Sequence, residues 1–381
     1  MDAKIRSMLV SGVFFLVGAV HGKSIEYACI PDQKIHILSV DTKALQSLRL
    51  SKAAGDVCAR EELSGMGARH NPSVGVVVGG FRRSGRFDGC PQALLIMDSY
   101  PYSDPGFSRP TLVIDAEERI LSLNNTKIAW EVKIHDQAIL LDKINQPAAD
   151  NEVVAYNAFF GCETKTTCEG IELVVDRGQL VQVRSFWGSG SIPRQGYVVR
   201  IGEKHPLAVV DWQSCLTKPC TASIKTTMLD LERDGIFAIQ GLVSLVEDGK
   251  VVENFAQRIV QGGLPTLLAD EITTDLSNEE VLSAFVVKQN AHTALGITND
   301  GLLKIVVAEG GDASDVCGAD LASIAQLMQG LGCTQAMLAS SGADVGLWLQ
   351  KRMITTPGGN DQLAGRCEER PIATALLLFE E

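Results

Sequence analysis

Ten cysteines, a cluster of arginines and a short acidic segment at Asp312–Asp315 are side chains whose type and spacing could do chemistry in this 381-residue chain. Arg82, Arg83 and Arg86 make a local basic patch, and guanidinium groups are planar, permanently charged forks suited to phosphate. Cys162 with Cys168, and Cys215 with Cys220, lie close enough to close small disulfide loops. Spacing leaves the partners of Cys29, Cys58, Cys90, Cys317, Cys333 and Cys367 open. Metal binding is the rival use of cysteine, but there is no Cys-x-x-Cys pair and no histidine near either short loop, so neither metal nor cofactor is expected. The acidic residues from Asp312 to Asp315 lack a recognised calcium-loop pattern. No glycine-rich loop joins a strand to a helix start, which removes the usual nucleotide-phosphate cradle.

These residues sit in a chain with 34 basic and 46 acidic side chains, a formal charge of −12. That balance argues against nucleic acid or an anionic membrane surface as the partner. Lys4 and Arg6 precede an uncharged apolar run over residues 8–20, and Val20-His21-Gly22 places compact residues where a signal peptidase reads. The run falls short of the roughly 20 residues that cross a bilayer. Residues 1–22 are therefore expected to be a signal peptide and 23–381 the mature domain, folded as one unit or two lobes. No later stretch is long and uncharged enough to span a membrane. An even cysteine count fits the same exported location, periplasmic or extracellular. In a secretory lumen Asn124-Asn125-Thr126 would be a glycan acceptor.

The elements that must position this chemistry are short β-branched runs between tight turns. Residues 171–175 and 180–184 flank Asp176-Arg177-Gly178, residues 242–246 and 250–253 flank Asp248-Gly249, and residues 295–298 and 302–308 flank Asn299-Asp300-Gly301. Glycine at these turns supplies the positive φ of primed hairpins. Residues 112–114 and 120–123 make a further pair. The clearest helix covers residues 319–331, with Leu321, Ile324, Ala325, Met328 and Leu331 on one face and Gly332 as its stop. A second covers residues 59–67. The fold class expected is α+β, mainly antiparallel or mixed β-sheets with a few packed helices.

In order along the chain, several segments resemble the phosphodiester glycosidase family. Ile35-His36-Ile37-Leu38-Ser39-Val40-Asp41 resembles its opening strand, and Gly79-Gly80-Phe81 its Asn-Gly-Gly-Phe-Phe loop. Residues 145–161 and 170–175, then Ile192-Pro193 and Gly196-Tyr197-Val198, are similar to its central segment. Gly262-Gly263-Leu264-Pro265, His292-Thr293-Ala294-Leu295-Gly296, residues 336–342 and Arg370-Pro371-Ile372-Ala373 complete the set. The resemblance implies an exported hydrolase of sugar-1-phosphodiesters. The candidate ligand-binding groups are Gly79, Gly80, Arg83, Glu172, Thr293, Ser340 and Ser341, the plain alternatives being a tight backbone turn for the glycines, a solvated face for Arg83 and Arg86, and a water-facing strand position for Glu172.

The departures from the family pattern fall where its polar groups stand. Val78 replaces an asparagine, His292 an arginine, and Ala339 the aspartate of an Asp-Gly-Gly-Gly-Ser loop; Glu309-Gly310-Gly311 stands for Asp-Gly-Arg. Glycoside cleavage passes through an oxocarbenium-like state that needs carboxylates, and the phosphate needs fixed positive charge. His292, Asp344 and Asp312 are the residues placed to take over catalytic roles, with Ser340 and Ser341 adding hydroxyls. The plain alternatives are a hydrogen-bonded or packed histidine and solvated loop acids. Trp187 and Trp348 suit either a sugar ring or core packing, and His36 reads as a structural strand residue. Two functions follow: a phosphodiester hydrolase with rearranged groups, or a non-catalytic relative that binds a glycan or a protein on the same fold. Convergence of Asp312, Asp344 and His292 on one cleft would favour the first.

Overall fold

The computed structural model describes residues 24–83, 85–115, 120–135, 137–167, 169–217, 222–226, 234–263, 286–310, 318–356 and 369–380. Residues 1–22, expected to be a signal peptide, lie outside this set. Strands dominate, in five sheets, and the one parallel pair among them joins Lys143–Ile144 to Val153–Asn157.

A seven-stranded antiparallel sheet runs in the order Ile25–Ile30, Ile35–Val40, Leu303–Ala308, His292–Thr298, Cys333–Ser341, Val243–Glu247, Lys250–Val251. Its strands are nearly continuous apolar runs because both faces are covered. In Leu303–Ala308 the parity of a strand divides the side chains: Leu303, Ile305 and Val307 enter one core, Val306 and Ala308 another. The first core is shared with two five-stranded sheets. One contributes Leu48, Leu50, Val74, Val76, Leu376 and Leu378, the other Leu95, Leu112, Ile114 and Ile239. The second core is closed by the helices Phe255–Gln261 and Leu321–Gly330, through Phe255, Ile259, Leu321, Ile324, Ala325 and Met328. Asp320 caps the latter helix, its carboxylate accepting from the Ser323 N–H at 2.7 Å.

All four expected hairpins form, and Asp248 and Gly249 take φ of 49° and 74°, the primed turn that matches strand twist. The helix expected over 59–67 instead covers Leu63–His70 and stops at Asn71, in the left-handed region. Gly67 lies inside it for a packing reason: a Cβ there would sit 2.5 Å from the Trp348 ring. Trp348 is thus a core residue, packed with Leu63 and Met66. A further five-stranded sheet carries Glu172 and Arg200 on neighbouring strands, and its Val154 and Tyr156, with Phe160 just past the strand end, pack with Val57 and Cys90.

Cys58 and Cys90 form a disulfide, which settles one pairing that spacing left open. Cys162 is exposed and Cys215 half-buried, and their expected partners Cys168 and Cys220 lie outside the described residues. Cys29 and Cys333, like these two, have no disulfide partner among the described residues. No helix among the described residues is long and apolar enough to cross a membrane.

Candidate functional site

One end of the seven-stranded sheet gathers the polar residues. Across it, Cys29 pairs with His36, His36 with Val307, Val307 with Thr293, and Thr293 with Ser340. Because Ala294 pairs with Leu338, Ala339 is the extra residue of a bulge. A bulge turns two consecutive side chains to one face, so Ala339 and Ser340 both join the face of Thr293. Glu309 follows two residues after Val307 on that same face. The Gly79 N–H donates to the Ala339 carbonyl at 2.9 Å, which seats the Gly79–Gly80 turn on the bulge. Gly79 has φ +74°, a left-handed conformation glycine takes without strain.

The electrostatics of this end are set by one carboxylate. Glu309 is 5% exposed, and its Oε1 lies 2.8 Å from His36 Nε2 while Oε2 accepts from the Thr356 N–H at 2.9 Å. Burial pushes its carboxyl up, but the bonds from His36 and Thr356 outweigh that and hold it below its ordinary value. Thr293 is wholly buried and its hydroxyl finds no hydrogen-bond partner among the described residues. Val78 and Ala339 are buried among apolar side chains of the shared core.

Of the three residues expected to converge, the structure describes His292 and Asp344 and holds them in different surroundings. His292 shares the parity of Ala294, so its ring lies on the helix side of the sheet, near Ala319 and Asp320. Burial lowers its pKa to about 4, the Ala319 backbone and Asp320 only partly opposing, and neither ring nitrogen has a hydrogen-bond partner of good geometry among the described residues. It is a neutral imidazole at neutral pH. Asp344 is held by Arg370 Nη1 at 2.9 Å in a shallow depression lined by Leu63, Val77, Met353 and Thr355. Asp312 lies outside the described residues. Ser341 pairs with His292, and its hydroxyl donates to the Ala291 carbonyl at 3.3 Å. Glu172 belongs to another sheet, buried, with Thr164 Oγ1 at 2.9 Å and Arg184 Nη1 at 3.4 Å. Arg83 and Arg86 are exposed on the loop that follows the Gly79–Gly80 turn, and Arg86 Nη1 donates to the Thr166 carbonyl at 3.3 Å. The side chain of Trp187 is not among those described.

The sequence model of the phosphodiester glycosidase family matches residues 150–379. The chain belongs to the phosphodiester glycosidase family. An uncharacterised protein of Rickettsia conorii is 24% identical over 249 residues, 64% of this chain and 77% of that protein. A Burkholderia pseudomallei protein described as exported superposes with a TM-score of 0.71 at 20% identity, over 93% of this chain and 74% of that one. A hypothetical protein from Synechocystis superposes with a TM-score of 0.70 at 15% identity, over 94% of this chain but only 62% of that one. At such identities these structures share the fold.

The phosphodiester glycosidase match contains Thr293, Glu309 and Ser340 but not the Gly79–Gly80 turn, which the Ala339 hydrogen bond joins to them. Glu309 is not among the site residues expected from the sequence. It stands where the family pattern has aspartate, so the carboxylate survives with one more methylene. The signal was in the Glu309-Gly310-Gly311 segment, which stands for the Asp-Gly-Arg of the family pattern. His36, which bonds Glu309, reads in the sequence only as a structural residue of the family-like opening strand, and Tyr27, which bonds His36, carried no sequence signal.

Proposed function

We propose that this protein is an exported sugar-1-phosphodiester hydrolase, working in the periplasm or outside the cell, with Glu309 as its site carboxylate. The observation that carries the reading is the shared face. Glu309, Thr293, Ser340 and the Gly79–Gly80 turn meet at one end of one sheet. Cleavage between the anomeric carbon and the phosphate oxygen expels a phosphate monoester, a good leaving group that makes little demand on a general acid. That suits a site with one ionised carboxylate. Water adds to the anomeric carbon, its proton passes to Glu309, and the phosphate leaves with the bonding pair. Arg83 and Arg86, exposed beside the glycine turn, supply the permanent positive charge for the phosphate.

A binding-only reading keeps one observation in its favour: Val78 and Ala339 close into the core, so the amide and carboxylate of the family pattern are replaced by apolar packing. One assay separates the two. The mature protein with its disulfide intact is offered UDP-N-acetylglucosamine or an aryl ester of N-acetylglucosamine 1-phosphate. Release of free sugar is the expected result. Saturable binding without release would leave a glycan-binding relative.

A further inference from the structure

His36 stands between two polar groups that it connects. Its Nδ1 lies 2.9 Å from the Tyr27 hydroxyl and its Nε2 lies 2.8 Å from Glu309 Oε1. His36 and Glu309 are each 5% exposed. Burial pushes the Tyr27 phenol up to about 12, so it remains an O–H donor through the neutral range. Glu309, held below its ordinary value, is an acceptor-only carboxylate, so the Nε2–H of His36 donates to it, while the Tyr27 hydroxyl meets Nδ1 on the other side of the ring. Charged and titratable groups face this array from each element packed against it. From the neighbouring strand come Tyr27 and Cys29, whose thiol burial pushes up; from across the sheet comes Glu309; from the facing sheet come the Arg352 charge felt by Tyr27 and the Thr356 N–H.

We propose that Tyr27 and His36 are positioning residues for Glu309, the phenol fixing the imidazole tautomer and the imidazole N–H holding the carboxylate ionised and oriented. This rests on Glu309 being the site carboxylate. An acceptor-only carboxylate is the form that takes a proton from attacking water. With both oxygens held from behind, its open lone pairs are directed rather than rotating freely. Relays of this kind are used where one residue must keep one protonation state at working pH. The arrangement is particular to residues 27, 36 and 309 of this chain, two of them on strands and one just past a strand end, so it is set by register and not by loop conformation.

The test is a titration of the Glu309 side-chain carboxyl by ¹³C NMR in the full-length mature protein, assigned with E309Q, alongside the pH profile of turnover. In H36F the Glu309 pKa should rise by about one unit, because one of its charge-assisted donors is gone. H36Q, whose amide N–H reaches the place of Nε2–H, should restore the original value to within a few tenths. Y27F should move it in the same direction as H36F but less, since the imidazole tautomer is then free. The acid limb of turnover should move with the titration, which a merely structural role for His36 would not cause. An unmoved Glu309 titration in both H36F and Y27F overturns the relay, and if H36F does not fold, Y27F decides alone. Full turnover in E309Q would instead sink the reading of the site, and the NMR titration would still judge the relay.

Discussion

Thr293 places a hydroxyl where nothing described bonds it, at the centre of the row that runs from His36 to Ser340. A buried hydroxyl without a partner costs about 1–3 kcal/mol, and a ligand oxygen at this spot would recover that cost. Replacing Thr293 with valine should leave stability to urea unchanged or raise it by about 1 kcal/mol, while calorimetric affinity for N-acetylglucosamine 1-phosphate falls about tenfold. A loss of stability with affinity intact would make the threonine an ordinary core residue. What the sequence made legible at this scale was residue type. Thr293 and Ser340 were named and lie together; His292, adjacent to Thr293, was named and lies on the opposite face. Neighbours in a strand are separated by the sheet itself, and a motif read as a string does not carry that parity. Glu309 shows the converse, a residue not named as a candidate although its own chemistry was kept.

At the scale of elements, the glycine-marked hairpins and the helix over Leu321–Gly330 were legible because turn chemistry and a 3.6-residue period are local. The bulge at Ala339 was not. Nothing in its sequence sets it apart, and it arises from the mismatch between two strands far apart in the chain. The Cys58–Cys90 bond belongs to the same class, joining residues 32 apart that only the fold brings together. Cys90 ends the loop that begins at the Gly79–Gly80 turn and carries Arg82, Arg83 and Arg86. Its carbonyl accepts from the Arg82 N–H at 2.9 Å. Closing a loop of this length contributes about 3–4 kcal/mol by the chain-entropy argument. The double variant C58A/C90A should therefore lower the urea midpoint by a corresponding amount. It should also weaken phosphate-ester binding under conditions where the variant is still folded. Unchanged affinity in the folded variant would separate the arginine loop from the site.

On the scale of the whole molecule, the buried His292 makes stability depend on pH. The fold favours its neutral form, holding the pKa at about 4 against 6.5 in the unfolded chain. Between those values the unfolded state binds the proton and the folded state does not, so stability is lost as pH falls from 6.5 towards 4. The shift corresponds to about 3 kcal/mol. Asp104, which burial raises to about 6, acts in the opposite sense over the same window. The comparison of H292L with the parent isolates the histidine. Chemical denaturation should show the two within about 1 kcal/mol at pH 7, the variant gaining on the parent as the solution is acidified. Parallel curves would mean that the imidazole is solvated. The fold class was legible from the sequence because both faces of the central sheet are written as apolar runs. How its sheets share one core was not, since that depends on contacts between segments such as residues 38, 76 and 239.

Glu309, as the proposed working carboxylate at the end of the seven-stranded sheet, carries the hydrolase reading. The turnover number of E309Q on an aryl ester of N-acetylglucosamine 1-phosphate, measured at saturating substrate beside the parent, tests this most directly. Loss of one charged group at a reacting centre predicts a fall of about 10²–10³, with the circular dichroism spectrum and urea midpoint showing a folded protein. Parent-like turnover in a folded E309Q would place the chemistry elsewhere.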